Sequence, residues 1–195
     1  MTKARPSLRE RKKQQTREAI QDRALHLYRE QGYHQTTVEQ IADAANVSPS
    51  TFFRYYPTKP ETVLYDRTDS VLLDAILAQP TELTPVAATR AALRSVFADM
   101  SDEERSLELT RMRLMADVPD LRAAVAERFS MVLPEFTAVI ARRAGRESDD
   151  QDVQHWLGAV AGVVLVALFR AARDGAEILD AIDEAMAYLE NGMPL

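Results

Sequence analysis

The sequence predicts an all-α chain of about nine helices, and three observations carry that reading. Apolar residues recur at spacings of three and four, no stretch alternates as a repeated strand would, and Ser or Thr caps open segments that Gly, Asn or Pro then close. A first helix covers roughly 9–31, with Ile20, Ala24, Leu27 and Tyr28 on one stripe and Gly32 as its stop. Thr37 with Gln40 makes a capping box that opens a short second helix over 38–45. Asn46 follows, a residue that enters the left-handed conformation cheaply, as a tight helix–helix turn requires. Ser48 caps a third helix whose first position is Pro49 and whose end is Pro57. A fourth helix reads over 60–78, through Val63, Leu64, Val71, Leu72 and Leu77, until Gln79-Pro80 stops it. Pro85 opens a fifth, containing Leu93, Val96 and Phe97. Ser101 and Glu104 form a second capping box for a sixth that runs to Asp117, and Pro119 opens a seventh to Ala144-Gly145, bent at Pro134. The acidic Ser148-Asp149-Asp150 suits the positive end of an eighth helix over 150–173, and Gly175 parts it from a ninth over 176–190.

Charge divides the chain more sharply than length does. Residues 1–59 hold eleven Lys/Arg against six Asp/Glu, a net +5, while residues 60–195 hold thirteen against twenty-four, a net −11. A basic head on an acidic body points to a polyanion as the partner of the head alone. We therefore expect two domains, 1–59 and 60–195. A hydrophobic share of 46 % and a charged share of 28 % fit a packed globular core. The absence of cysteine excludes disulfides, thiolate metal sites and a thiol nucleophile. The basic N-terminus lacks the apolar stretch of a secretory signal, so a cytoplasmic location is expected.

The second helix, the Asn46 turn and the third helix have the spacing of a helix-turn-helix: Ile41, Ala42, Ala45, Val47 and Phe52 fall where two steeply crossing helices touch. Ser50, Thr51, Phe53 and Arg54 are left on the open side of the third helix, able to reach base edges and phosphates in a major groove, and Tyr55 and Lys59 add donors for the phosphate backbone. The run TTVEQIADAANVSPSTFFRYYPTKPETVL resembles the N-terminal domain of the TetR family of transcriptional regulators. That resemblance implies phosphate contacts from Thr37, Thr51, Tyr55 and Lys59, and base contacts from Val38, Pro49, Ser50, Phe53 and Arg54. Asn46 stands where the family usually has Gly, and Phe53 where Tyr is common, which removes one hydroxyl contact. The basic run Arg9-Glu10-Arg11-Lys12-Lys13 either touches phosphates or a minor groove as an arm, or only solubilises a helix start.

In the body, residues 155–169 carry no Asp, Glu, Lys or Arg. The run is shorter than the roughly 20 residues of a membrane span, so it reads as a core or interface helix, and no membrane partner is expected. Gly158, Ala159, Gly162 and Val166 share a stripe of small residues that admits a close neighbour, and Ile178, Ile182, Ala185 and Leu189 line up on the ninth helix. Two copies of this helix pair would make a four-helix homodimer interface, as the resemblance also implies; alternatively the two helices bury each other within one chain. A dimer would present two recognition helices to a palindromic site in double-stranded DNA.

For a small-molecule effector, the sixth and seventh helices are the richest source. Leu107, Leu114 and Val118 place Arg111 on an apolar face with Met115 at its edge. Arg111 could hold an anionic head group whose apolar part meets Phe97, Met100, Met115, Phe129 or Met131; alternatively it pairs with Glu108 at i,i+3. The segment from Leu109 to Arg128 is similar to the C-terminal domain of actinobacterial TetR-family members such as the mycofactocin-system regulator, which implies a fatty acyl-coenzyme A effector with Arg111 and Arg113 as phosphate ligands.

No arrangement for catalysis is evident. His26, His34 and His155 have no metal-ligand spacing, and neither a nucleophile elbow nor a phosphate-cradling glycine loop occurs, so no cofactor is expected. The expected function is a ligand-responsive repressor. A DNA-binding adaptor would ignore every small molecule, and an enzyme would keep turning over substrate without Arg54 and Lys59.

Overall fold

The computed structural model describes residues 7–193, with Ala126 described by its backbone alone. Within that range the regular elements are all helices: α1 (Leu8–Gln31), α2 (Val38–Ala44), α3 (Pro49–Tyr55), α4 (Glu61–Leu64), α5 (Asp69–Ala78), α6 (Pro85–Ala98), α7 (Asp102–Asp117), α8 (Pro119–Ala144), α9 (Gln151–Asp174) and α10 (Ile178–Glu190). Two compact units result, and the chain divides between Tyr65 and Asp66 rather than after Lys59.

In the N-terminal unit, Ile20, Ala24, Leu25 and Tyr28 of α1 are buried, as are Ile41, Ala42, Phe52, Tyr56 and Val63, and α1 packs on α2 and α4 while α2 packs on α3. The caps read from the sequence form as expected: Thr37 and Gln40 close the box on α2, and the Ser48 hydroxyl accepts from Thr51 N–H at 3.1 Å. Asn46 sits at φ 53°, the left-handed value the turn requires. A further capping box, Ser7 with Glu10, starts α1, so the basic run from Arg9 to Lys13 is helical and exposed. Lys3 and Arg5 lie outside the described residues.

The helix read over 60–78 is two. The Asp66 carboxylate accepts from Thr68 N–H at 2.8 Å and from the Thr68 hydroxyl at 2.6 Å. A short acidic side chain that bonds the backbone two residues on competes with the helical pattern, and the chain breaks there. Buried Gln21 takes up the carbonyls this leaves, donating to Thr62 O at 3.0 Å and to Tyr65 O at 2.7 Å.

The C-terminal unit packs α5 to α10 around two apolar clusters. One joins Ile76, Ala92, Ile140, Ala141 and Val153; the other joins Ala116, Val160, Ala167, Leu168 and Ala171 with Ile178, Ile182 and Met186 of α10. Arg143 fastens the end of α5, its guanidinium donating to the carbonyls of Ile76, Gln79, Pro80 and Leu83. Arg90 of α6 holds α10 through a two-bond pair with Asp183, at 2.6 and 2.7 Å. Helix α9 is long and apolar enough to cross a membrane by length and composition. Here one side of it, from Val153 through Leu157 and Val160 to Ala171, is packed into the core.

Candidate DNA interface and ligand cavities

The residues expected to read DNA are brought together around α2 and α3. Thr37, Pro49, Ser50, Phe53 and Arg54 are exposed, and Val38, Thr51, Tyr55 and Lys59 are half-buried beside them. Phe53 leaves 49 % of its surface open although Phe52 beside it is fully buried. Phe53 therefore stands on the side of α3 that the core leaves uncovered. The Arg54 guanidinium lies 5.5 Å from the Tyr55 ring centroid, which limits its rotamers without capturing its donors.

Lys59 is placed differently from expectation. Its ammonium donates to Tyr33 O at 2.9 Å and to Thr36 O at 3.1 Å and sits 4.2 Å from the Tyr33 ring. Burial holds its pKa below the usual lysine value. The side chain therefore ties the segment between α3 and α4 to the turn between α1 and α2, and two of its three N–H donors are committed to that turn.

The seven residues expected to form a ligand pocket do not converge. Phe97 lines a space between α6, α7 and α10, whereas Phe129 lines a separate cavity between α5, α6, α8 and α9. Arg113 is exposed, Met131 is 60 % exposed on the outside of α8, and Met100 is half-buried past the end of α6. Arg111 is the clearest correction. It is only 3 % exposed, and its Nε and Nη2 donate to Glu108 at 2.9 and 2.6 Å while Nη2 also meets Asp66 at 2.5 Å. A guanidinium enclosed by two carboxylates has no need of a ligand anion. Met115, whose sulfur accepts from Arg111 Nη1 at 3.7 Å, belongs to the same cluster.

The α8 cavity is where apolar residues gather. Phe129, Leu133, Phe136 and Ile140 of α8 face Trp156, Leu157, Val160, Ala161 and Val164 of α9, with Ile76 and Thr89 closing it, around about 140 Å³. Thr89 is the one polar lining residue, and its hydroxyl donates to Pro85 O at 2.8 Å. The lining is thus apolar in effect. Leu133, Phe136 and Ile140 were missed in the sequence, although their spacing from Phe129 marks one face of a helix.

Next to Arg111 lies a second ion pair, Arg128 to Asp69 at 3.2 Å. Burial, and then the neighbouring charge of Asp66, push the Asp69 carboxyl up to about 6. Asp66 itself is driven up by burial, but Arg111 and the two Thr68 bonds more than offset this and hold it below its usual value. Folded Asp69 keeps its proton to about 6, against 3.8 for an unperturbed group, so the folded state binds the extra proton between those values. Its contribution to stability therefore falls as pH rises through that window, by on the order of 1–3 kcal/mol. In urea titrations at pH 5 and pH 7.5, Asp69→Asn should lose less stability on going to the higher pH than wild type does. An equal loss in the two proteins would refute this assignment.

Of the residues expected at a dimer interface, Gly158, Ala159, Gly162 and Val166 are exposed along one side of α9, Val166 at 66 %. A Cβ built at Gly158 or Gly162 meets no described atom within 4 Å. Ile178 and Ile182 are instead buried in the core of their own chain, and Ala185 and Leu189 are partly buried against it. Glu184 and Tyr188 are exposed on the outer side of α10 and, with the edges of the half-buried Ala181 and Ala185, border a groove of about 770 Å³ with Gly162, Val166 and Arg170 of α9. Among the described residues no group of three or more His, Cys, Asp or Glu could hold a metal ion.

Residues 20–64 match the family described as bacterial regulatory proteins, tetR family, and residues 83–194 match the one described as MftR C-terminal domain. The transcriptional regulator TcmR of Streptomyces glaucescens is 35 % identical over 162 residues, 80 % of this chain and 72 % of that one. MftR of Mycobacterium tuberculosis, named for the regulation of mycofactocin biosynthesis, is 28 % identical over 169 residues, 84 % of this chain and 83 % of that one. Among solved structures, the transcriptional repressor FadR of Thermus thermophilus in complex with lauroyl-CoA aligns over 92 % of this chain and 95 % of its own, with a TM-score of 0.55 and 27 % identity.

Proposed function

The chain belongs to the tetR family of bacterial regulatory proteins, a family of DNA-binding transcriptional regulators and not of enzymes, and from this we propose how its two units divide the work. It is a ligand-responsive regulator that binds its operator as a dimer. The helix-turn-helix of the N-terminal unit, which ends at Tyr65, engages the operator, with Ser50, Phe53 and Arg54 on base edges and Thr37, Thr51 and Tyr55 on phosphates. Val38 and Pro49 supply apolar contacts. Lys59 supports this surface from behind and adds its charge to the field. The C-terminal unit, from Asp66 on, dimerises through the small-residue side of α9 and binds the effector. The protein acts in the cytoplasm, where its DNA lies.

The observation that carries the effector class is the apolar cavity between α5, α6, α8 and α9. Its volume of about 140 Å³ is below the ~300–1,000 Å³ of drug-sized sites and takes about six carbons, room for part of a slender unbranched chain and too little for a large ring system. A fatty acyl group is such a chain, and the FadR structure holds lauroyl-CoA. We assign the effector as a fatty acyl-coenzyme A whose acyl part enters between Phe129, Leu133 and Trp156. A ligand shifts the equilibrium only as far as its affinity differs between the DNA-competent and released forms. Fluorescence anisotropy on a labelled duplex from upstream of the gene tests this. Lauroyl-CoA should release the DNA and coenzyme A alone should not, while Leu133→Trp, which fills the cavity, should bind DNA normally and resist release. Equal release by coenzyme A, or none by acyl chains of any length, would sink the assignment.

A further inference from the structure

Outside that cavity, the C-terminal unit has a second, partly open space of about 300 Å³ between α6, α7 and α10. Its floor is apolar, built from Leu93 and Phe97 of α6, Met112 of α7 and Met186 of α10, and its edge is charged. Asp183 is committed: its carboxylate takes Arg90 by two bonds and Arg94 by one at 2.6 Å, and Glu190 takes the remaining reach of Arg90 at 3.2 Å. Those bonds hold the Asp183 carboxyl far below the usual carboxylate range.

Arg105 is not committed. Its Nε is buried without a hydrogen-bond partner among the described residues, yet the residue lines this space. Two other arginines leave Nε in the same condition, but their guanidinium groups are engaged elsewhere. Arg143 donates to carbonyls, and Arg17 lies 3.6 Å from the Tyr65 ring centroid. Among the described residues Arg105 has neither kind of partner. It also stands in the first turn of α7, where the positive end of the helix disfavours a cation and favours an anion. Arg105 as a whole is half-buried, and a guanidinium whose donors meet no described acceptor, set beside an apolar floor, can still take a carboxylate.

We propose that this space is a second ligand site, for a compact amphipathic carboxylic acid. Its carboxylate pairs with Arg105, with the outward donors of Arg94 within the same rim, and its apolar body lies on Phe97, Met112 and Met186. Asp180, also on the rim, disfavours a second negative charge and restricts the class to monoanions. The site does not depend on the acyl assignment. It shares no lining residue with the cavity between α8 and α9.

The probe is 2-naphthoate, whose ten-carbon bicyclic body exceeds the roughly six carbons the α8 cavity takes, with 2-naphthalenemethanol as its neutral counterpart. Titrated into the full chain labelled at the methionine methyls, naphthoate should shift Met112 and Met186 and leave Met131, on the outside of α8, unmoved. By calorimetry it should bind at least about tenfold more tightly than the alcohol, and Arg105→Ala should abolish that difference, whereas Arg105→Lys should keep part of it. The wild-type methyl spectrum decides the matter even if a variant folds poorly. Failure to bind, shifts confined to other methionines, or equal affinity for acid and alcohol would each overturn the proposal. So would binding lost in Leu133→Trp but kept in Arg105→Ala, which would place the acid in the α8 cavity.

Discussion

Replacing Arg111 by Met should destabilise the C-terminal unit by about 3–5 kcal/mol, the range seen when one partner of a buried ion pair is removed. The side chain of Glu108 is 4 % exposed and that of Asp66 is 22 % exposed, so each carboxylate would keep its charge with little water to solvate it. Burial alone would make Arg111 easier to deprotonate, but Asp66 and Glu108 more than reverse this, and its pKa stands above the ordinary arginine value. The loss falls mainly on Glu108, because Asp66 still accepts two bonds from Thr68. The double variant Glu108→Leu, Arg111→Met should therefore recover at least about 1 kcal/mol relative to Arg111→Met alone, since it removes the stranded charge together with its partner. Urea unfolding at pH 7.5 measures both. An Arg111→Met protein within about 1 kcal/mol of wild type would mean that the guanidinium is not holding the fold together. The reading in which it serves a ligand anion would then return.

What the sequence disclosed and what it concealed follow one physical line. Thr37 with Gln40, Ser48 with Pro49, Ser101 with Glu104 and the Asn46 turn all act within a few residues, and each forms as read. The surface of α3 was legible for the same reason: its seven residues leave little choice of face once Phe52 is buried. The concealed features depend on partners far along the chain. Asp66 is forty-five residues from Arg111, and Lys59 finds its acceptors twenty-three and twenty-six residues back. Periodicity also says which residues share a stripe without saying which neighbour the stripe meets. Ile178 and Ile182 do share one with Ala185 and Leu189, but it turns inward. Phe97 and Phe129 are both apolar and partly enclosed, yet different helices cover them, so they line separate spaces.

The α9 surface gives the other large effect. Val166→Glu should convert the protein from dimer to monomer at micromolar concentration and weaken operator binding by at least about a hundredfold, with the helical content unchanged. The residue is 66 % exposed in the single chain, so the charge costs nothing there, and its neighbours Gly158 and Gly162 have open space above them. At a two-fold interface the same substitution occurs on both copies, so two carboxylates lose their hydration close to each other. Loss of operator binding follows because one recognition helix must then bind its half-site without the high effective concentration its partner supplies. Ile182→Ala is the comparison. Ile182 is 6 % exposed and packed in its own core, so it should cost stability, about 2–5 kcal/mol, while whatever remains folded stays dimeric. Analytical ultracentrifugation with anisotropy on the same samples separates the two outcomes. A Val166→Glu protein that sediments as a dimer would remove the small-residue side of α9 from the interface.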